Sequence, residues 1–174
     1  MEIMELTREM VFEKIKNAYR TLLKNDSHLL TFDANERSIT HKLAIYLQDE
    51  FPDYNVDCEY NRDRHDSKKL LFLLEVKEIR SDETKGTTVY PDIIIHHRGT
   101  KDNFIVIEAK KMTNKFKDYD EKKLRGYISE LNYQYAFFIE FPVEKGFSNS
   151  DFDEKMLEKF IKEIRAIQPI LQPD

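Results

Sequence analysis

Apolar positions recur every three or four residues in the first third of the chain, then every two residues, and the change in period divides the molecule. Residues 3 to 24 place Val11, Ile15, Ala18 or Tyr19, and Leu22 on one stripe with charges between them, which predicts a helix broken by Asn25-Asp26-Ser27. A second helix is predicted from Ala34 to Glu50, with Asp33 as N-cap and Phe51-Pro52-Asp53 as its stop. Its stripe of Ile39, Leu43, Tyr46 and Leu47 puts Glu36 on the buried side. From Val56 the period is two: Val56, Cys58 and Tyr60 alternate with Asp57, Glu59 and Asn61, the pattern of a strand with Glu59 on its polar face.

Asn61 to Lys69 reads as a charged turn, Leu70 to Ile79 as a strand and Arg80 to Thr87 as a polar loop. Val89 to His97 and Asn103 to Lys110 are β-rich runs joined by Arg98-Gly99-Thr100-Lys101-Asp102, a length suited to a hairpin. Tyr119 to Leu131 then predicts a helix, Tyr135 to Phe141 a buried strand ended by Pro142, and Asp153 to Ile167 an amphipathic helix. This order implies an α/β fold with a central mixed β-sheet flanked by helices.

The chain has 174 residues, 40% hydrophobic, with only 4 Gly and 5 Pro, so one ordered domain is expected and a disordered or low-complexity class is excluded. The single cysteine, Cys58, leaves no intrachain disulfide and fits a reducing compartment; on the apolar side of its strand it reads as a core residue. The acidic start lacks the pattern of a signal peptide and no run approaches the ~20 apolar residues of a membrane span, so the expected setting is cytoplasmic, with no membrane partner. A formal charge of -5 argues, taken globally, against a polyanion partner.

The hairpin carries the candidate chemistry. Asp92, Ile94 and His96 share one face of the first strand; Phe104, Val106, Glu108 and Lys110 share one of the second. If the loop is centred on Thr100, Asp92 lies opposite Glu108 and Lys110 joins them, whereas a one-residue slip separates the acids. Two adjacent carboxylates repel unless a cation sits between them, and hard oxygen ligands suit Mg²⁺ or Mn²⁺. The plainer alternative is a surface salt-bridge pattern in a chain that is 35% charged.

Tyr90-Pro91-Asp92-Ile93-Ile94-Ile95 and Val106-Ile107-Glu108-Ala109-Lys110 resemble the signature of the PD-(D/E)XK nuclease superfamily. The resemblance runs from about Asn35 to Phe141 and is to the small, stand-alone bacterial members. It implies a restriction endonuclease-like core at 34–142, an N-terminal helical extension at 1–33 and a C-terminal helix within 143–174. It also implies that Asp92 and Glu108, with the carbonyl of Ala109, ligate Mg²⁺ or Mn²⁺, and that Lys110 positions or activates the attacking water. Glu36 stands where many members carry a metal-assisting acid; a salt-bridging acid near a helix start is its other reading. Glu59 reads as a solvated strand residue or a partner for Arg62. The implied activity is Mg²⁺-dependent hydrolysis of phosphodiester bonds in DNA. A non-catalytic nucleic-acid-binding or protein-interaction module of a defence or repair complex is the alternative, and an enzyme acting on another phosphodiester or nucleotide is a third.

The short signature has a decoy, Pro52-Asp53 with Glu75-Val76-Lys77, but Asp53 follows a helix stop and does not enter an apolar strand. Lys110 to Arg125 has a local charge of +4 in a chain of -5, so Lys111, Lys115 and Lys122 are candidate phosphate contacts, and Tyr119 or Tyr127 could stack on bases. A solvated helix face is the alternative for this tract. His96 could approach phosphate from the Asp92 face or hydrogen-bond to the loop. The terminal helices complete the core or form a dimer contact. The expected engagement of nucleic acid is weak and dependent on metal and salt.

Overall fold

The computed structural model describes residues 6–60, 62, 63, 66, 67, 69, 70, 87–113, 117–143 and 154–166. Helix α1 spans Arg8–Thr31, with the Thr7 hydroxyl accepting the Met10 N–H at 3.3 Å as its N-cap. It outruns the predicted stop at 25–27 because Leu29 and Leu30 still have a core to enter. The polar triplet bends the helix instead, at Asp26 (φ -126°, ψ 24°). The Asp26 carboxylate accepts the Tyr46 hydroxyl and lies 3.8 Å from Lys42 Nζ, so the bend is tied to the next helix.

Helix α2 spans Glu36–Glu50. Its N-cap is Asn35, whose side chain accepts the Arg37 N–H at 2.9 Å, and the expected cap Asp33 sits instead in the connecting turn at φ 51°. Ile39, Leu43 and Leu47 are fully buried, as their spacing predicts.

Strand β1 is Asn55–Cys58. Short strands β2 (Arg62–Asp63) and β3 (Asp66–Ser67) pair with each other within the expected turn. Strand β4 (Lys69–Leu70) pairs with β5 (Thr87–Thr88), while the remainder of the strand expected at 70–79 and most of the loop at 80–87 lie outside the described residues. The hairpin is β6 (Ile93–His96) and β7 (Asn103–Lys111). Helix α3 (Lys117–Leu131) crosses to β8 (Tyr135–Phe141), which runs parallel to β7.

At the C-terminal end the expected helix at 153–167 is replaced by a short helix α4 (Glu154–Phe160) and a strand β9 (Ile161–Ile164). The outer edge of β8 offers unpaired backbone groups, and β9 satisfies them antiparallel while still burying Ile161 and Ile164. Glu163 then receives Arg8 of α1 at 2.6 Å. The result is a five-stranded mixed sheet in the order β1-β6-β7-β8-β9. Among the described residues, no helix is long and apolar enough to cross a membrane.

Helices α1 and α2 pack on one sheet face through Ile93, Ile95, Ile105, Ile107, Phe137 and Ile139. On the other face, Ile94, Val106, Ala136 and Ile164 meet Leu124 and Tyr127 of α3. Burial on both faces explains why β7 reads as an almost continuous apolar run, and why a charged residue within it is costly.

The hairpin register pairs Ile93 with Ile107, Ile94 with Val106 and Ile95 with Ile105, the alignment that a loop centred on Thr100 predicts. It shifts between Ile95 and His96, where His96 pairs with Asn103. The shift turns Phe104 to the face opposite Val106, correcting its predicted place beside Glu108. Phe104 there stacks on Tyr54 at 4.6 Å and meets Phe51 and Tyr135 edge-on. We expect Phe104→Ala to lower stability by about 3–5 kcal/mol, read as a lower urea midpoint with an unchanged slope.

Candidate active site

Asp92 precedes the first residue of β6, and extending the register by one residue sets it beside Glu108. Its Oδ2 accepts the Ala109 N–H at 2.8 Å, fixing the carboxylate beyond the end of the β6 ladder. A strand residue turns its N–H and C=O to the same lateral side, so the Ala109 carbonyl also faces the end of β6. Glu108 is 1% exposed, and Lys110 follows two residues later on the half-buried end of β7.

Helix α3 supplies what surrounds Glu108. Lys123 Nζ donates to Glu108 Oε2 at 2.7 Å and the Tyr127 hydroxyl donates to Oε1 at 3.2 Å. Asp120 is 3% exposed, with Oδ1 3.9 Å from Lys123 Nζ and Oδ2 buried without a hydrogen-bond partner. Sequence reasoning missed Asp120 and the pairing of Lys123. Their spacing puts positions 120, 123 and 127 on one face of a helix, but it does not say whether that face meets water or a buried acid.

The charges strain one another. Burial pushes the Glu108 carboxyl up to about 8, with the Asp92 charge adding to the effect and Lys123 opposing it. Burial also raises Asp92, against the Ala109 N–H and the positive charges of Lys110 and Lys123. Asp120 is raised by burial too, against the same two lysines. Burial alone would lower Lys110, but Asp120, Asp92, Glu36 and Glu108 outweigh it and raise its pKa, so it is held as an ammonium.

Glu36 opens α2 and faces this cluster from the opposite element. Its Oε2 accepts the Lys111 N–H at 2.9 Å and its Oε1 lies 3.6 Å from Lys110 Nζ. A cleft of about 390 Å³ lies between the start of α2 and the ends of β1, β6 and β7; Glu36, Arg37, Thr40, Cys58, Glu59, Asp92 and Lys110 line it. Cys58 is therefore not the core residue expected: it shares the sheet face of Ile93, but it stands at the strand's uncovered end and is exposed. Burial and neighbouring carboxylates push its thiol up to about 11, away from a nucleophilic thiolate.

The remaining candidates divide. Lys111 is occupied at Asp33, 2.7 Å from Oδ1, and secures the turn before α2. Lys122 is exposed on α3, and Lys115 lies outside the described residues. His96 is 4% exposed and its Nε2 lies 2.9 Å from Asp57 Oδ2, which also takes Arg98; it is bound to β1 and not aimed at the cleft. Tyr127 is fully buried against Glu108 and unable to stack on a base, whereas Tyr119 is 40% exposed. Glu59 pairs with Arg37 at 2.9 Å. In the decoy motif, Asp53 is exposed in a turn and residues 75–77 lie outside the described ones.

Whether these groups suit a divalent cation can be tested on their charges. The carboxyls of Asp92, Glu108, Asp120 and Glu36 face two amino groups, Lys110 and Lys123; deprotonating Glu108, which burial holds up at about 8, leaves negative charge that a divalent ion would balance. The hard oxygens of Asp92 and Glu108 and the orphaned oxygen of Asp120 agree with Mg²⁺ or Mn²⁺. Among the described residues no three His, Cys, Asp or Glu side chains are already gathered as a metal-holding group. None of the protein-family models, curated proteins or solved structures compared with this chain matches it.

The raised acids set a sign for stability. Glu108 titrates near 4.5 when unfolded and near 8 when folded, so the folded protein holds more protons between these values and stability falls as pH rises through that window. In metal-free buffer the thermal midpoint should therefore drop from pH 5 to pH 8. Glu108→Gln should flatten that slope, measured by calorimetry across the same buffers.

Proposed function

We propose that the chain is a nuclease of the PD-(D/E)XK superfamily with a restriction endonuclease-like core, using Mg²⁺ or Mn²⁺ to hydrolyse phosphodiester bonds in DNA. The observation that carries this reading is the hairpin register, which sets Asp92 against the Ala109 N–H and beside Glu108, with Lys110 at the cleft. Asp92, Glu108 and the Ala109 carbonyl would hold the ion, with Glu36 assisting. When bound, such an ion polarises the phosphoryl oxygen and acidifies water.

The protein's own groups divide the remaining work. The neighbouring acids raise the Lys110 pKa, which favours its ammonium form. As an ammonium it donates hydrogen bonds to the attacking water and offsets charge developing on the phosphoryl oxygens. Glu36 holds that ammonium from one oxygen and the Lys111 N–H from the other, which ties the start of α2 to the end of β7. Lys123 and Tyr127 orient Glu108 from behind.

One observation favours a second reading, a non-catalytic nucleic-acid-binding or protein-interaction module. Both Glu108 oxygens already have protein partners, and Lys123 neutralises the charge a metal would otherwise meet. Carboxylate oxygens carry more than one lone pair, so the two states are compatible in geometry and differ in affinity.

Cleavage of plasmid and single-stranded DNA in Mg²⁺ and in Mn²⁺ separates the readings. The wild type should cut, Asp92→Ala should be inactive, and Lys110→Ala should lose about 100-fold or more in rate with DNA still bound. Equal activity in wild type and Asp92→Ala removes the assignment. An absence of cutting, joined to an absence of Mn²⁺ heat at millimolar metal, selects the non-catalytic module.

A further inference from the structure

The cleft has an element that the acids and Lys110 leave unexplained. Arg37, the second residue of α2, lines it with a side chain that is 83% exposed, and its Nε lies 2.9 Å from Glu59 Oε1 across the mouth. Glu59 is itself unusual. Its backbone is at φ 49°, a left-handed conformation that a residue with a Cβ seldom adopts, and its N–H donates to the Asp92 carbonyl at 3.2 Å. The chain thus holds a non-glycine residue in an unfavourable conformation one hydrogen bond from Asp92, with its carboxylate on the one guanidinium that lines the cleft among the described residues.

The pair contributes little to holding the fold. The Glu59 side chain is 48% exposed, and ion pairs this wet add little to stability. It is therefore easily exchanged for a better acceptor. A phosphodiester is such an acceptor, because the guanidinium fork matches two phosphate oxygens and stays charged at every working pH. Lys110 cannot take the same role freely, since it is held among Glu36, Asp92 and Asp120.

We propose that Arg37 is the contact of this cleft for a nucleic-acid phosphate, and that Glu59 occupies it in the resting protein as an internal competitor that substrate must displace. The inference rests on the nuclease reading for the kind of ligand and extends it to how that ligand is admitted. Net attraction of DNA is then held down by a carboxylate placed where phosphate binds. Removing Glu59 should tighten binding, although the residue touches the mouth of the site.

The test is fluorescence anisotropy of a labelled DNA oligonucleotide, single-stranded and duplex, titrated in EDTA across a salt series so that no turnover intervenes. Arg37→Ala should weaken binding about tenfold and reduce the slope of log affinity against log salt by about one. Glu59→Gln should tighten binding several-fold at low salt. The double variant should bind like Arg37→Ala, because Glu59 acts only through Arg37. Glu59→Gln that binds no tighter than wild type, or Arg37→Ala with unchanged affinity and salt slope, overturns the proposal while leaving the nuclease reading in place. A wild type that binds neither oligonucleotide even at the lowest salt overturns the proposal, and the nuclease reading is then judged by cleavage in Mg²⁺ and Mn²⁺. Circular dichroism of each variant should match the wild type, since both side chains are exposed.

Discussion

Glu108 is the expensive residue of this protein. A carboxylate in the middle of the sheet, between Ile107 and Ala109 and 1% exposed, loses its hydration on folding, a penalty of several kcal/mol for an unpaired ion. What makes it tolerable is local: an ammonium at 2.7 Å and a tyrosine hydroxyl at 3.2 Å, both from α3. The crossover helix therefore does two jobs with one face. Leu124 and Tyr127 cover the apolar part of the sheet, and Lys123 and Tyr127 answer the charge at its end. Asp120 shows that the compensation is incomplete, since one of its oxygens stays buried without a hydrogen-bond partner. A cluster of this kind is stable as protein and still short of positive charge, which is the electrostatic condition for recruiting a cation.

The opposite wall adds polar stitching to the burial of α2. Glu36 accepts the Lys111 N–H, and Lys111 in turn reaches Asp33, so the turn before α2 is sewn to the last residues of β7. Asp26 adds a second stitch between α1 and α2 through Tyr46. The start of α2 is consequently held against the end of β7 by hydrogen bonds beside the cleft, while Ile39, Leu43 and Leu47 anchor the rest of the helix in the core.

How much of this was legible in the sequence depends on the range of the interaction. The hairpin register was readable because a five-residue loop leaves few alignments, and the alternation of Ile93 to Ile95 against Ile105 to Ile107 selects one. Glu36 was readable because helix periodicity assigns it to a side. Lys123 and Asp120 were not, because a charged helix stripe looks the same whether it faces water or a buried acid that only the tertiary fold brings near. Cys58 shows the same limit: alternation gives its sheet face but not whether a helix covers that end of the strand. Phe160, Ile161 and Ile164 fit a helical stripe and a strand equally well, and the exposed edge of β8 decided between them. The bulge at His96, which moved Phe104, is not written in the apolar pattern, because the pair that falls there, His96 and Asn103, is polar and yet buried.

Strand β9 has a further effect, on the society of molecules more than on the single one. It terminates the sheet on one side with four residues, of which Lys162 is exposed and Glu163 half-buried and engaged with Arg8. A short outer strand with charges on its solvent side is a poor template for a neighbour's backbone. The β8 edge, fully apolar on its inner face, would otherwise invite strand addition from another copy. By folding the end of a predicted helix into a fifth strand, the chain covers a β8 edge that would otherwise stand open to a neighbour's backbone.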